Sequence, residues 1–231
     1  MSKKKIVVLT GAGISAESGI KTFRDSDGLW EEHDIMDVAT YEAWLRNKEL
    51  VIEFYNQRRK QLFEVEPNAG HYAIVKLEDK FDVFVVTQNV DDLHERAGSK
   101  NVMHLHGELK KVRSTVDEDL VYVLDGWELK IGDKCEKGSQ LRPHIVWFGE
   151  AVPMIYEAAQ LASNADIIII VGTSLNVYPA AGLVGYAKQG TPVYLVDPGD
   201  INTAHIQNLT FIKEKGCVGV PKLVDELLQK G

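Results

Sequence analysis

Four continuous apolar runs, at residues 6–9, 83–86, 167–171 and 193–196, constrain this chain more than any other feature. A strand with one face in water alternates polar and apolar residues, whereas a strand covered on both faces does not. Such runs predict a parallel sheet buried between two layers of helix. Each run stops at a turn or a polar cluster: Thr10-Gly11, Thr87-Gln88-Asn89, Gly172-Thr173-Ser174 and Asp197-Pro198-Gly199. Ligands of open parallel sheets lie outside the carboxyl ends of the strands, so these four ends are expected to line one crevice. Helical patterns at 69–78 and 156–164 supply crossovers. A closing helix is predicted over 221–229, with Leu223, Val224, Leu227 and Leu228 at helical spacing.

Two segments break this alternation. Residues 25–67 begin as a polar loop and become a long helical pattern, and residues 108–142 are polar, interrupted by Gly126, Gly132 and Gly138, and weakly strand-like near 120–124. The fold expected is therefore α/β: a Rossmann-like parallel sheet with helices on both faces, plus a small module formed by two insertions. The large part takes in about 1–24, 68–107 and 143–231, the small module about 25–67 and 108–142, and the whole chain, 1–231, is read as one catalytic domain. At 45% apolar and 26% charged residues the composition is that of a globular protein. A net charge of −8 argues against nucleic acid or an anionic membrane as partner. The lysine-bearing start has no apolar signal segment, the longest aliphatic run is too short for a bilayer, and two cysteines offer no disulfide framework. A cytoplasmic location is expected.

The turn after the first run, Gly11-Ala12-Gly13-Ile14-Ser15-Ala16, has the form that lets backbone N–H groups approach a pyrophosphate at a helix start. Close packing alone also produces such turns. Thr22-Phe23-Arg24 and then 25–30 read as a lid beside it. Gln88, Asn89 and Asp91 can hydrogen-bond ribose hydroxyls or an amide, or simply cap the next helix. For Asp92 and His94 the structural role is favoured, as it is for His33, His71, His144 and His205. His104 and His106 share a face in a regular strand, so alternation does not choose which of them is a general base; His106 stands just before Gly107, where a strand would open into the crevice. Residues 142–150 read as a strand, and Pro143 makes it an edge strand to which an extended peptide can pair.

In combination and in this order, Gly11–Ser15, Gly19-Ile20 with Phe23-Arg24, Gln88-Asn89-Val90-Asp91, His106-Gly107 and Gly172-Thr173-Ser174 resemble the sirtuin family of NAD-dependent protein lysine deacylases, over nearly the whole chain. The resemblance implies that Gly11, Ala12, Gly13, Ser15, Thr22, Phe23 and Arg24 hold the NAD pyrophosphate and order the lid. It implies that Gln88, Asn89 and Asp91 hold nicotinamide and its ribose, that His106 is the general base, and that Gly172, Thr173, Ser174, Asp197 and Cys217 surround the adenosine. Val146, Phe148 and Gly149 would bind the acyl-lysine and its peptide backbone. In the family the acyl oxygen attacks the ribose anomeric carbon, giving nicotinamide, free lysine and 2′-O-acyl-ADP-ribose. The implied partners are acylated lysines of proteins. An NAD hydrolase or ADP-ribosyltransferase on the same site is the alternative activity, and a non-catalytic NAD sensor would be expected to lack His106 or Asn89.

Two departures refine this expectation. Most sirtuins carry four zinc-binding cysteines after the catalytic histidine; here 108–142 contains Cys135 alone, with Ser114 where a first cysteine is expected. No zinc is predicted. Val112, Val121, Val123, Leu124, Trp127 and Leu129 are expected to pack the module instead, leaving Cys135 an ordinary free thiol. Tyr55 and Arg58, at i and i+3, share a helical face. Arg59 and Lys60 follow, as on a solvated helix, but the pair resembles the signature of sirtuins that remove succinyl, malonyl or glutaryl groups. An arginine beside a phenol can take the acyl carboxylate.

Overall fold

The computed structural model describes residues 3–21, the backbone of 29–30, and residues 33–230. In chain order its strands are β1 (Lys5–Thr10), β2 (Leu29–Trp30), β3 (His33–Asp34), β4 (Asp82–Thr87), β5 (Val102–His104), β6 (Gly107–Ser114), β7 (Val121–Val123), β8 (Leu141–Ile145), β9 (Ile167–Val171), β10 (Val193–Val196) and β11 (Leu209–Ile212). Its helices are α1 (Ile35–Val38), α2 (Tyr41–Arg46), α3 (Lys48–Leu62), α4 (Ala69–Leu77), α5 (Leu93–Ala97), α6 (Ile155–Ser163) and α7 (Gly216–Lys230).

Six strands form one parallel sheet in the order β11–β10–β9–β1–β4–β5. The four apolar runs are its centre. Side chains alternate between two faces that are both covered. Ile6, Val8, Val83, Val85 and Ile169 pack with Ile74 and Leu77 of α4 and Val220, Leu223 and Val224 of α7. Val7, Leu9, Val86, Ile168 and Ile170 pack with Ala158 and Ala162 of α6 and with Leu183 of the 3₁₀ segment Ala180–Tyr186. Each aliphatic side chain so buried contributes roughly 1.5–3 kcal/mol, and no polar position interrupts the series. Register then levels the strand ends: Thr10 lies beside Thr87 and Val171, and Val171 beside Val196.

A second, antiparallel sheet, β7–β6–β8, packs against α1–α3. Val38, Trp44, Val51, Phe54, Tyr55 and Leu62 share one core with Leu109, Val112, Leu129, Ile145 and Trp147. Val112 and Leu129 are buried there and Leu124 packs against them, but Val121, Val123 and Trp127 are exposed, contrary to expectation. In β7 Tyr122 takes the core face beside Val112, so Val121 and Val123, which pair with Arg113 and Lys111, stand on the opposite face.

Three further expectations change. The strand predicted over 142–150 stops at Ile145, and 146–150 turns across α1 instead, with Phe148 N–H donating to Ala39 C=O at 3.0 Å. The closing helix begins at Gly216, five residues before Pro221, which sits inside it. Two outer strands, β5 and β11, extend the predicted centre. Among the described residues no helix is long and apolar enough to cross a membrane.

Candidate active site

The first glycine turn and the turn after β9 interlock backbone to backbone. Gly11 N–H donates to Val171 C=O at 3.0 Å, and Gly13 N–H to Gly172 C=O at 2.8 Å. A Cβ on Gly172, whose φ is +62°, would stand 2.4 Å from the Ile14 nitrogen. Only glycine permits this approach. Packing and ligand approach are thus served by the same atoms, because the interlocked turns form the floor of a cavity of about 470 Å³. All four polar strand ends meet there, as expected: Gly11, Ala12 and Gly13; Gln88, Asn89 and Asp91; Gly172, Thr173 and Ser174; and Asp197. Gln88 Nε2 donates to Thr173 Oγ1 at 3.1 Å, joining two of these ends.

Ser15 does not line the cavity but is buried behind it. Its hydroxyl donates to Asp91 Oδ2 at 3.0 Å and accepts from Asn89 Nδ2 at 3.2 Å. His71 of α4, set aside on sequence, belongs to the same network. Its Nδ1 accepts from the Asn68 N–H at 3.2 Å, which leaves Nε2 as the protonated nitrogen, 3.5 Å from Ser15 Oγ. Burial pushes His71 down to about 4 and His94, bonded to Thr10 Oγ1 at 3.1 Å, well below its ordinary value. Asp91 is raised, chiefly by burial, although bonds from Leu93 N–H and Ser15 oppose this. Its Oδ1 accepts from Leu93 N–H at 3.2 Å, at the start of α5, and the residue also lines the cavity.

The structure separates the two histidines that alternation left equivalent. β5 ends at His104, whose Nδ1 donates to Asn89 C=O at 2.9 Å and whose Nε2 donates to Glu95 at 2.7 Å. Burial is the largest single influence and lowers its pKa, but the Glu95 bond and charge, the Asn89 carbonyl and Glu108 together outweigh it and hold the pKa raised. With both nitrogens donating, His104 is no base. His106 lines the cavity, and its Nδ1 donates to Gln88 C=O at 3.1 Å. The neutral ring then keeps its lone pair on Nε2, and burial holds the pKa below the usual 6.5. A base is available at neutral pH. Gly107 makes this possible: at φ +84° it turns the chain into β6, and a Cβ would stand 2.0 Å from the His144 carbonyl oxygen.

At the far end of the cavity lie Tyr55 and Arg58 of α3, with Val146, Trp147, Phe148, Gly149 and Glu150 opposite. Trp147 Nε1 donates to the Tyr55 hydroxyl at 3.0 Å. Burial, far more than its neighbours can offset, raises the Tyr55 phenol and keeps it neutral. The solvated-helix reading of α3 fails, since Arg59 is fully buried and donates to Leu109 C=O, Trp127 C=O and Asn56 Oδ1 at 2.6–2.7 Å. Arg59 joins α3 to the small sheet, and that rotates Tyr55 and Arg58 onto the cavity.

Among the expected residues Cys217 is not at the cavity wall, which is formed there by Lys215, 3.8 Å from Glu17. Thr22, Phe23 and Arg24 lie outside the described residues, as does most of the proposed lid. Cys135 is free but not ordinary. It stands 3.4 Å from Ser114 Oγ and 3.1 Å from Ser139 Oγ, and these hydroxyls, Ser114 first, bring the thiol down to about 7. One thiol and two hydroxyls do not fit structural zinc, which needs four N or S ligands. Among the described residues no three His, Cys, Asp or Glu side chains gather in a way that could hold a metal.

An interlocked glycine cradle, an amide–carboxylate loop and a histidine with its Nε2 lone pair free thus line one cavity. The chain belongs to the Sir2 family, whose profile it matches over residues 11–179. It is 54% identical over 228 residues to an NAD-dependent protein deacylase of Helicobacter pylori, covering 98% of each chain. A Sir2 homologue in complex with NAD has a similar structure, with TM-score 0.88 and 39% identity, covering 99% of this chain and 91% of the other. So does a Sir2 protein bound to an acetylated peptide, with TM-score 0.79 and 30% identity, covering 99% and 94%.

Proposed function

We propose that this chain is an NAD-dependent protein-lysine deacylase that takes acidic acyl groups (succinyl, malonyl or glutaryl) and also removes acetyl, using NAD as co-substrate. The observation that carries this reading is His106, neutral and oriented by Gln88 at the point where the amide–carboxylate loop meets residues 146–149. Family membership and the deacylase relative support the reaction class. Gly11, Gly13 and Gly172 present bare backbone to the cavity, which fits the close approach of a pyrophosphate.

Gln88, Asn89 and Asp91 bind nicotinamide and its ribose, with Ser15, His71 and His104 fixing their orientation from behind. Thr173, Ser174 and Asp197 hold the adenosine half. When bound, NAD supplies the electrophilic anomeric carbon. With NAD bound, His106 Nε2 would accept a proton from a ribose hydroxyl. Val146, Phe148 and Gly149 hold the acyl-lysine, and Arg58 receives the acyl carboxylate beside the Tyr55 hydroxyl. The small module folds without zinc, held by the core of α1–α3 with β6–β8 and by the Arg59 bonds.

The test supplies NAD with paired succinyl-lysine and acetyl-lysine peptides to wild type, His106→Ala and Arg58→Met. NAD-dependent release of free lysine peptide, lost in His106→Ala, is expected. Arg58→Met is expected to lose desuccinylation about a hundred-fold while keeping deacetylation, since it leaves a carboxylate without its charged partner at a cost of about 3 kcal/mol. Nicotinamide release without deacylated peptide would instead establish a hydrolase or transferase. Turnover of acetyl-lysine alone would refute the Arg58 assignment.

A further inference from the structure

Residues 146–149 lie beyond the end of β8, and their backbone is tied to its neighbours at single points, Val146 N–H to His106 C=O at 2.9 Å and Phe148 N–H to Ala39 C=O at 3.0 Å, and not along a ladder. Two charged residues, one at either end, shape the turn in addition. Glu150 N–H donates to Trp147 C=O at 3.0 Å, closing a turn, and Glu150 Oε2 accepts from Trp147 N–H at 2.8 Å. Arg142, eight residues back in β8, grips that carboxylate with both terminal nitrogens, at 2.7 and 3.1 Å, and donates to Ile145 C=O at 3.1 Å. Its guanidinium lies 3.4 Å from the centre of the Trp147 ring. Arg113 of β6 adds a second cation 3.5 Å from Glu150 Oε1. The indole so clamped reaches across the cavity to the Tyr55 hydroxyl.

An ion pair is a poor device for stability alone: desolvation offsets most of its attraction, and apolar residues of the same size would serve as well. What a forked, stacked arginine supplies is direction. We propose that Arg142 and Glu150 are positioning residues for the acyl-lysine: they fix the turn that receives it and, through Trp147, the phenol that borders Arg58, so they set both peptide affinity and acyl selectivity. This rests on the reading of 146–149 and of Tyr55 and Arg58 as the substrate side. The NAD side is formed by other elements, so the pair acts on one substrate and not on the other.

Two conservative variants test this. Glu150→Gln keeps an oxygen for Trp147 N–H but loses the charge, and Arg142→Lys keeps the charge but loses the fork and the planar stack. KM and kcat for succinyl- and acetyl-peptides, KM for NAD, and melting temperature are measured on the same samples. Each variant is expected to raise peptide KM about ten-fold, to lower the succinyl-to-acetyl ratio of kcat/KM several-fold, and to leave NAD KM within about two-fold. A lower melting temperature with both peptide parameters unchanged would make the pair merely structural and overturn the proposal. Parallel rises in both KM values would overturn it as well. If one variant does not fold, the other carries the measurement. Wild-type turnover of neither peptide would refute the substrate-side reading itself, which separates that failure from failure of the clamp.

Discussion

Replacing Gly107 by alanine perturbs the site through a single methyl group. At φ +84° an L-residue carries a strain of about 1–2 kcal/mol. The Cβ would also lie 2.0 Å from the His144 carbonyl oxygen, so β6 and β8 must part by about 1 Å to reach a tolerable contact. Such a shift in a packed region adds about 1–3 kcal/mol. The total, about 3 kcal/mol, corresponds to a melting-temperature loss of roughly 10 °C for a chain of this size. The same displacement separates His106 from the substrate turn, since His106 C=O receives Val146 N–H at 2.9 Å directly beside the contact. A misplacement of about 1 Å costs about a hundred-fold in kcat/KM. Thermal unfolding and steady-state deacylation of Gly107→Ala, compared with Gly126→Ala, check this. Gly126 has a similar φ of +86° with nothing within 4 Å of its Cβ, so it isolates backbone strain from the clash. Equal effects at the two positions, or wild-type kcat/KM in Gly107→Ala, would refute the reasoning.

Two pH predictions follow from the buried histidines. His106 must be neutral to accept a proton, and burial lowers its pKa, so the acid limb of kcat/KM against pH is expected below 6.5 and to vanish with His106; a limb above 6.5 would contradict the assignment. The lowered pKa of His71 means that the unfolded chain binds a proton between pH about 6.5 and 4 that the folded chain does not, so stability falls with pH in that window, by about 2 kcal/mol at pH 5. Urea unfolding at pH 7.5 and 5 should show this loss, and His71→Gln should reduce it.

The centre of the fold was legible because burial on both faces leaves a continuous apolar run, and the polar strand ends named the crevice. The flanks were not. β5 and β11 are three- and four-residue edge strands, half-buried and without a repeating pattern. The start of α7 was masked by Gly216, Gly219 and Pro221, of which Gly219 is small because a Cβ there would stand 2.6 Å from Val196 Cγ1. Alternation did not separate His104 from His106 because the strand breaks between them, at Leu105. The Ser15–His71 contact joins positions 56 residues apart and has no local signature. Val121 and Val123 read as core because their residue type fits a strand, yet register decides their exposure, since Tyr122 between them takes the core face. Trp147 and Glu150 lay within a segment read as a strand, where their turn could not be seen.

Stoichiometry of products tests the central claim most directly: nicotinamide, deacylated peptide and acyl-ADP-ribose are quantified by mass spectrometry in one reaction of wild-type enzyme with NAD and succinyl-lysine peptide. The account predicts the three in equal amounts, with the succinyl group carried on ADP-ribose. Free succinate with unmodified ADP-ribose formed in the earliest turnovers, or nicotinamide in excess of deacylated peptide, would contradict it.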